Sequence, residues 1–164
     1  MKRFAIVVML AAACGPGSPG GPTMNSRIGG TDLPPPISSV VSKEILDREP
    51  IANKAEVKHI LISWKELDDA FQGRQDARAA KRSKSEAETE VKSLVGQLKA
   101  GTDFDTLMKA HSEDLGSAST ARPFTVTPDA QLVIEFRQLS LRLNVNEVGV
   151  CQSDYGFHII KRIS

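Results

Sequence analysis

The sequence predicts a small α+β domain over residues 54–164. Two segments rich in isoleucine and valine, one at each end of this stretch, have the apolar pattern of strands. Between them lie segments with helical spacing of apolar residues and recognisable start and stop signals. Near the C-terminus, two apolar runs are separated by residues 152–155, which is typical of a hairpin. The predicted order is therefore strand, helix, helix, strand, helix, strand, strand.

The first strand is predicted in the sequence AEVKHILIS, residues 55–63. Apolar and polar residues alternate up to His59, and a continuous apolar run follows. This pattern indicates a strand with at least one buried face.

Two helices are predicted next. In the first, Ser85 is the candidate N-cap, apolar residues recur at helical spacing, and Gly101 lies just past the end. The second, shorter helix begins at Asp103 and would pack Phe104 and its apolar neighbours one turn on. The polar residues 114–122 that follow carry no strong prediction.

The last third begins with Phe124 and Val126, which suggest a short strand. Pro128 is then predicted to open a helix that presents residues 132, 133 and 136. In the final hairpin, Cys151 lies between valines and polar residues, so we expect a small buried strand residue and not a nucleophile.

The N-terminal residues read as an export segment followed by a tether. Residues 1–14, MKRFAIVVMLAAAC, have a basic start and a short apolar run, and they resemble the signal peptide of bacterial lipoproteins. That resemblance implies acylation of Cys14, with ordinary cleavage and a free thiol as the alternative. Gly15 after the cysteine resembles the pattern of outer-membrane lipoproteins. Residues 15–53 are predicted as a flexible tether rich in glycine and proline, although residues 37–53 could dock as a short helix or strand.

Composition excludes several classes of function. The formal net charge of +1 argues against nucleic acid as the main partner, because neutralising phosphates needs a basic face. Two cysteines, of which one would carry the lipid, leave no internal disulfide, so packing must stabilise the domain. The three histidines lack the spacing of a metal site, so no metal is expected.

The two predicted terminal strands each contain one histidine, His59 and His158. A buried imidazole needs a hydrogen-bond partner. If the two strands pair at the centre of the sheet, the simplest partner of each ring is the other. We therefore expect His59 and His158 to be in contact.

Three stretches, taken in order, resemble the parvulin-type peptidyl-prolyl isomerases: KHILIS, GTDFDTLMKAHSEDLGSAS and NEVGVCQSDYGFHIIKRI. The similarity covers residues 57–163. It implies a four-stranded antiparallel sheet wrapped by three to four helices, with a shallow cleft for a proline ring and the peptide bond before it. The tandem histidines of the family match His59 and His158, and its acidic or thiol position matches Asp114. The positions that match substrate contacts are Leu132, Phe136, Phe124 and Ser153.

The chain departs from the family at one place. Relatives usually carry Gly-Gly-Asp-Leu-Gly between the acidic residue and the third helix, where this chain reads SASTARPFTVTPDAQ. The paired glycines are absent, and Pro123 has a fixed φ where relatives are flexible. A basic stretch at residues 74–84 is interpreted as a solvated helical face, with recognition of an acidic residue before proline as the alternative.

The resemblance implies a cofactor-free isomerase acting on Xaa-Pro bonds of unfolded or partly folded exported proteins. Asp114 and the histidines would act electrostatically on the imide. We expect a monomer anchored through Cys14, in the cell envelope, at the outer membrane facing the periplasm. The alternative is a catalytically weak module that keeps the scaffold for peptide binding or as a chaperone. Docking to a partner envelope complex is a third possibility.

Overall fold

The computed structural model describes residues 37–164. The predicted signal peptide, Cys14 and the predicted tether up to residue 36 lie outside the described residues. The strands are β1 (Ala55–Ile62), β2 (Phe124–Val126), β3 (Val148–Ser153) and β4 (Gly156–Arg162). The helices are α1 (Lys43–Leu46), α2 (Asp68–Phe71), α3 (Lys84–Lys99), α4 (Phe104–His111), α5 (Leu115–Thr120) and α6 (Ile134–Ser140).

The four strands form one antiparallel sheet in the order β2-β1-β4-β3, which confirms the predicted sheet. The central pair, β1 and β4, comes from opposite ends of the domain. In their register His59 faces Ile160, and Leu61 faces His158. Because side chains alternate along a strand, both histidines lie on the same face of the sheet.

Each face of the sheet has its own apolar core. On one face, Ile60 and Ile62 pack with Val91 and Leu94 of α3 and with residues of α4. On the other face, the sheet packs against α6 through Phe136 and its neighbours. Both histidines lie on this second face, so α6 is positioned to form one wall of a site around them.

The structure corrects two predicted helix starts. The N-cap of α3 is Ser83 and not Ser85, because Ser83 and Glu86 form a reciprocal capping box that ends the preceding turn. The third predicted helix, α6, begins at Ile134 and not at Pro128. Residues 127–132 instead form turns, with backbone hydrogen bonds from Ala130 to Thr127 and from Leu132 to Ala130.

Residues 37–53 pack on the domain, so the folded unit begins earlier than the boundary predicted at residue 54. Ile45 of α1 is buried in the core on the α6 side. The backbone N–H of Ser42 donates to the carbonyl of Val150 at 2.8 Å, and the Ser42 hydroxyl accepts from the Val150 N–H at 2.9 Å. Within residues 37–164, no helix has both the length and the apolar character needed to cross a bilayer.

The turn between β3 and β4 depends on Gly156. Its φ is +133°, and a Cβ at this position would lie 2.5 Å from the carbonyl oxygen of Ile62. Only glycine fits such a close backbone approach. This contact holds the final hairpin against the end of β1.

Candidate functional site

A shallow groove of about 230 Å³ opens on the α6 face of the sheet. It contains both histidines, the predicted acidic residue and the predicted apolar walls. Its lining consists of His59, Asp114, Phe124, Gln131, Leu132, Val133, Phe136, Tyr155 and His158.

The two imidazoles meet beneath this groove, as predicted. Their Nδ1 atoms are 3.2 Å apart, and each residue is 5% exposed. The far nitrogen of His158, Nε2, lies 2.8 Å from the hydroxyl of Ser153. That hydroxyl also accepts a hydrogen bond from the backbone N–H of Tyr155 at 3.1 Å.

Ser153, His158 and His59 thus form a row of hydrogen-bonded side chains, and Asp114 lies at the His59 end of this row. Its Oδ2 lies 2.9 Å from His59 Nε2 and accepts a hydrogen bond from the Ser117 hydroxyl at 2.6 Å. Its Oδ1 accepts from the backbone N–H of Gly116 at 3.1 Å, which makes Asp114 the N-cap of α5. The hydrogen bond from His59 lowers the pKa of Asp114 well below its ordinary value, with Ser117 adding to the effect. The carboxylate is therefore ionised at neutral pH.

With Asp114 ionised and both rings neutral, the donor and acceptor role of each ring nitrogen is fixed. The carboxylate only accepts, so His59 donates from Nε2 and accepts at Nδ1. His158 then donates from Nδ1, and its Nε2 accepts from Ser153. All donors point towards Asp114, and no polar atom of the row lacks a partner.

His158 is held neutral by its surroundings. Burial, helped by the neighbouring His59 and opposed by Asp114, lowers its pKa to about 3. A neutral ring with one donor and one acceptor is what the row of hydrogen bonds requires.

Glu113 places Asp114 beside β1. The Glu113 N–H donates to the Leu61 carbonyl at 2.9 Å, and the Ser63 N–H donates to the Glu113 carboxylate at 2.7 Å. Arg82 donates to the same carboxylate at 2.7 Å. Burial raises the pKa of Glu113, against the hydrogen bonds from Ser63 and Arg82. This buried ion pair fixes the chain one residue before Asp114.

Aromatic rings form the apolar part of the groove. The rings of Phe124 and Phe136 stand nearly perpendicular to the His59 ring, with centroids 5.2 and 5.1 Å away. Leu132 and Val133 contribute from the turn before α6. The mixture of an apolar pocket and one fixed carboxylate suits a ligand with a compact apolar ring beside a polar bond.

The structure brings together seven of the eight residues singled out in the sequence. The exception is Cys14, which lies outside the described residues. Sequence reasoning missed the buried Ser117 and the groove residue Tyr155. The signal for Ser117 was its position three residues after an N-cap aspartate.

Two other predictions concern reactive or charged groups. Cys151 is fully buried as predicted, and burial raises the pKa of its thiol. In the basic stretch, Arg78 binds Asp76, and Arg82 binds Glu113 and Glu90. The solvated face predicted there is wrong for Arg82, whose side chain is 11% exposed, whereas Arg78 is exposed.

The segment that departs from the family is accommodated by helix α5 and strand β2. Ala121 ends α5 with φ of +52°, a conformation that usually favours glycine. The chain then turns into β2, and Phe124 enters the groove. The absence of the paired glycines thus leaves the groove open.

Comparisons with known proteins agree with this geometry. The family model of the PPIC-type PPIASE (peptidyl-prolyl isomerase) domain matches residues 41–163. The chain is 31% identical over 122 residues to the foldase protein PrsA of Geobacillus kaustophilus, covering 74% of this chain and 43% of that protein. It is 30% identical over 112 residues to the chaperone SurA of Hahella chejuensis, covering 68% and 23%. The chain thus spans less than half the length of these relatives.

Among solved structures, the peptidyl-prolyl isomerase ESS1 from Candida albicans superposes with a TM-score of 0.57 at 18% identity. The match covers 68% of this chain and 63% of that one. At this identity the likeness concerns the fold.

Proposed function

The chain belongs to the PPIC-type peptidyl-prolyl isomerase domain family, and from this premise we propose that it catalyses cis-trans isomerisation of Xaa-Pro bonds. The observation that carries the proposal is the row Asp114, His59, His158 and Ser153 beneath an apolar groove. No bond is made or broken in this reaction. The site has only to lower the barrier to rotation, which is about 18–20 kcal/mol for an amide.

The apolar walls hold the proline ring. Phe124, Leu132 and Phe136 surround a space of the right character for a pyrrolidine, and binding there removes water from the imide. A bound ring also fixes one side of the rotating bond, so that the other side can turn.

Asp114 acts on the charge of the imide. In the planar amide, resonance places extra negative charge on the carbonyl oxygen, and twisting removes it. A carboxylate near that oxygen repels the planar form more strongly than the twisted form, which lowers the barrier. Each 1.36 kcal/mol of such a difference is a tenfold gain in rate.

The histidines and Ser153 hold that carboxylate in place and keep it ionised. Because the pKa of Asp114 is lowered, its carboxylate is a weak base and a weak nucleophile, which favours an electrostatic role over a covalent one. The histidines are therefore positioning residues in this proposal.

The substrates are proline-containing segments of unfolded or partly folded polypeptides, because the groove is shallow and open. Uncatalysed isomerisation takes about 10–100 s, long enough to limit folding. We place this activity in the cell envelope, with the chain attached through a lipid on Cys14 at the outer membrane, facing the periplasm. The export segment at residues 1–14 supports this location.

Exchange NMR on a proline-containing tetrapeptide tests the activity. When the full chain is added at a concentration far below that of the peptide, the cis and trans signals should exchange faster than in the peptide alone. Leu132→Ala should lower kcat/KM about tenfold, since a hydrophobic pocket loses about 1–3 kcal/mol with a small group. Ile134→Ala is the matched control: Ile134 is 57% exposed, two residues away and outside the groove lining.

Peptide binding without faster exchange would instead support the binding module. Equal rates for the Leu132 and Ile134 variants would remove the groove from the mechanism.

A further inference from the structure

A second groove lies on the opposite face of the sheet, between α3, the edge strand β3 and residues 39–42. Two adjoining cavities of about 420 and 280 Å³ share Val95, Lys99 and Val148 in their linings. Its floor and walls are largely valine, and Leu98 and Asn146 line the smaller cavity near the end of α3. The catalytic groove opens on the α6 face, so the two grooves share no lining residue.

The groove exposes an incompletely paired strand edge. Strand β3 is the outer strand of the sheet, and Ser42 satisfies the outward backbone groups of Val150. Because outward groups recur at every second residue, those of Val148 point the same way. Within residues 37–164, neither the N–H nor the C=O of Val148 forms a hydrogen bond on this outer side of β3. The edge can therefore accept further pairing beside Val148.

Gly96 makes room on the helical wall. It lies in the interior of α3 and lines the groove, and a Cβ there would meet no atom within 4 Å. Glycine is unfavourable inside a helix, and the described part of the chain has no packing reason for it. Without a Cβ, the helix backbone at this position is open to close approach from outside the described fold.

The rim of the groove is basic. Lys92 and Lys99 lie on the α3 wall, and neither forms an ion pair within the described residues. Upstream of Ser42 the chain crosses towards the beginning of α3, where the Ser38 hydroxyl donates to Glu88 at 2.6 Å. The chain thus leads away from the end of the groove that contains Val148 and Lys99.

We propose that this groove binds an extended segment of another polypeptide, which adds to the sheet beside β3. Its backbone would pair with Val148, its apolar side chains would fill the space along Val95 and Gly96, and its carboxylates would face Lys92 and Lys99. This site is separate from the catalytic groove and does not depend on catalysis. Through this groove the domain would bind a polypeptide segment that is acidic, rich in β-branched residues and free of proline.

Fluorescence anisotropy with a labelled heptapeptide, Glu-Val-Thr-Val-Glu-Val-Thr, tests this site on the full chain. The chain should bind it saturably, and the amide signal of Val148 should shift in NMR spectra. Gly96→Leu should weaken binding at least tenfold, because position 96 lines the groove and a Cβ there meets no atom within 4 Å, so the added side chain occupies groove space. Gln97→Leu, on the next and exposed position of α3 outside the lining, should change affinity less than twofold.

The charge contribution is tested with the same peptide carrying lysine in place of glutamate. We expect it to bind about fivefold more weakly, a difference that disappears at high salt. Absence of binding, or equal affinity in the Gly96 and Gln97 variants, would overturn the proposal. So would competition by a proline peptide, which would assign binding to the catalytic groove. Self-association of the chain that Gly96→Leu abolishes would assign the groove to a second copy and also overturn it.

Discussion

Acidification should destabilise the fold through His158, and the effect can be worked out from its surroundings. The ring is buried, and its pKa of about 3 in the folded protein lies below the ordinary value of 6.5. Between these two values the unfolded chain binds a proton that the folded chain does not. The contribution of His158 is therefore complete above pH 6.5 and is lost as the pH falls towards 3.

The size follows from the same two pKa values. Between pH 7 and pH 5 the folded protein should lose about 2 kcal/mol through this one residue. The pKa of Asp114 is lowered from 3.8, so its own loss falls below this window. Burial raises the pKa of Glu113, which acts in the opposite sense, but a variant at position 158 retains that carboxyl.

Urea unfolding at the two pH values measures the effect. The wild type should lose about 2 kcal/mol more than His158→Gln, which for a domain of this size shifts the midpoint by about 1 M urea. NMR titration of the His158 ring in the wild type gives its pKa independently. Equal losses in the two proteins, or a ring that titrates near 6.5, would refute the placement of a neutral imidazole at this position.

Three further predictions concern the scaffold. Arg82→Ala should destabilise the fold by about 3–5 kcal/mol in urea unfolding, because Glu113 would remain buried without its partner; a loss below about 1 kcal/mol would contradict this. Ser83→Ala should cost about 1 kcal/mol of unfolding free energy and Ser85→Ala much less, since Ser83 is the N-cap; the reverse order would restore the sequence-based start of α3. Gly156→Ala should lower the melting temperature by several degrees, because its Cβ would strike the backbone of Ile62, and an unchanged melting temperature would argue against that contact.

The parts of the fold with strong periodicity could be predicted from the sequence. Strands β1 and β4 and helix α4 have continuous apolar patterns or clear caps, and the structure contains them where expected. The pairing of His59 with His158 followed from one physical requirement, since two buried rings on neighbouring strands need partners.

The remainder depends on tertiary contacts that no local pattern encodes. Helix α5 has no apolar stripe, and it forms because Asp114 caps it while bound to His59. Residues 37–53 have only a few apolar positions and are predicted as part of the tether, yet Ser42 hydrogen-bonds to the outer edge of β3. The turn before α6 similarly replaces a predicted helical start and places Leu132 in the groove.

The central claim is that the Asp114 carboxylate lowers the barrier to rotation. Asp114→Asn removes the charge and keeps one oxygen that can cap α5, but its amide cannot accept from His59 and Ser117 as the carboxylate does, so it should cost about 1–3 kcal/mol of unfolding free energy. Asp154→Asn, at an exposed turn position, is the matched control. The measurement is kcat/KM for a Xaa-Pro tetrapeptide by exchange NMR. We expect a loss of about 100-fold for Asp114→Asn, of the size seen when one electrostatic group is removed from an active site, and none for the control. Full activity in a folded Asp114→Asn protein would contradict the account.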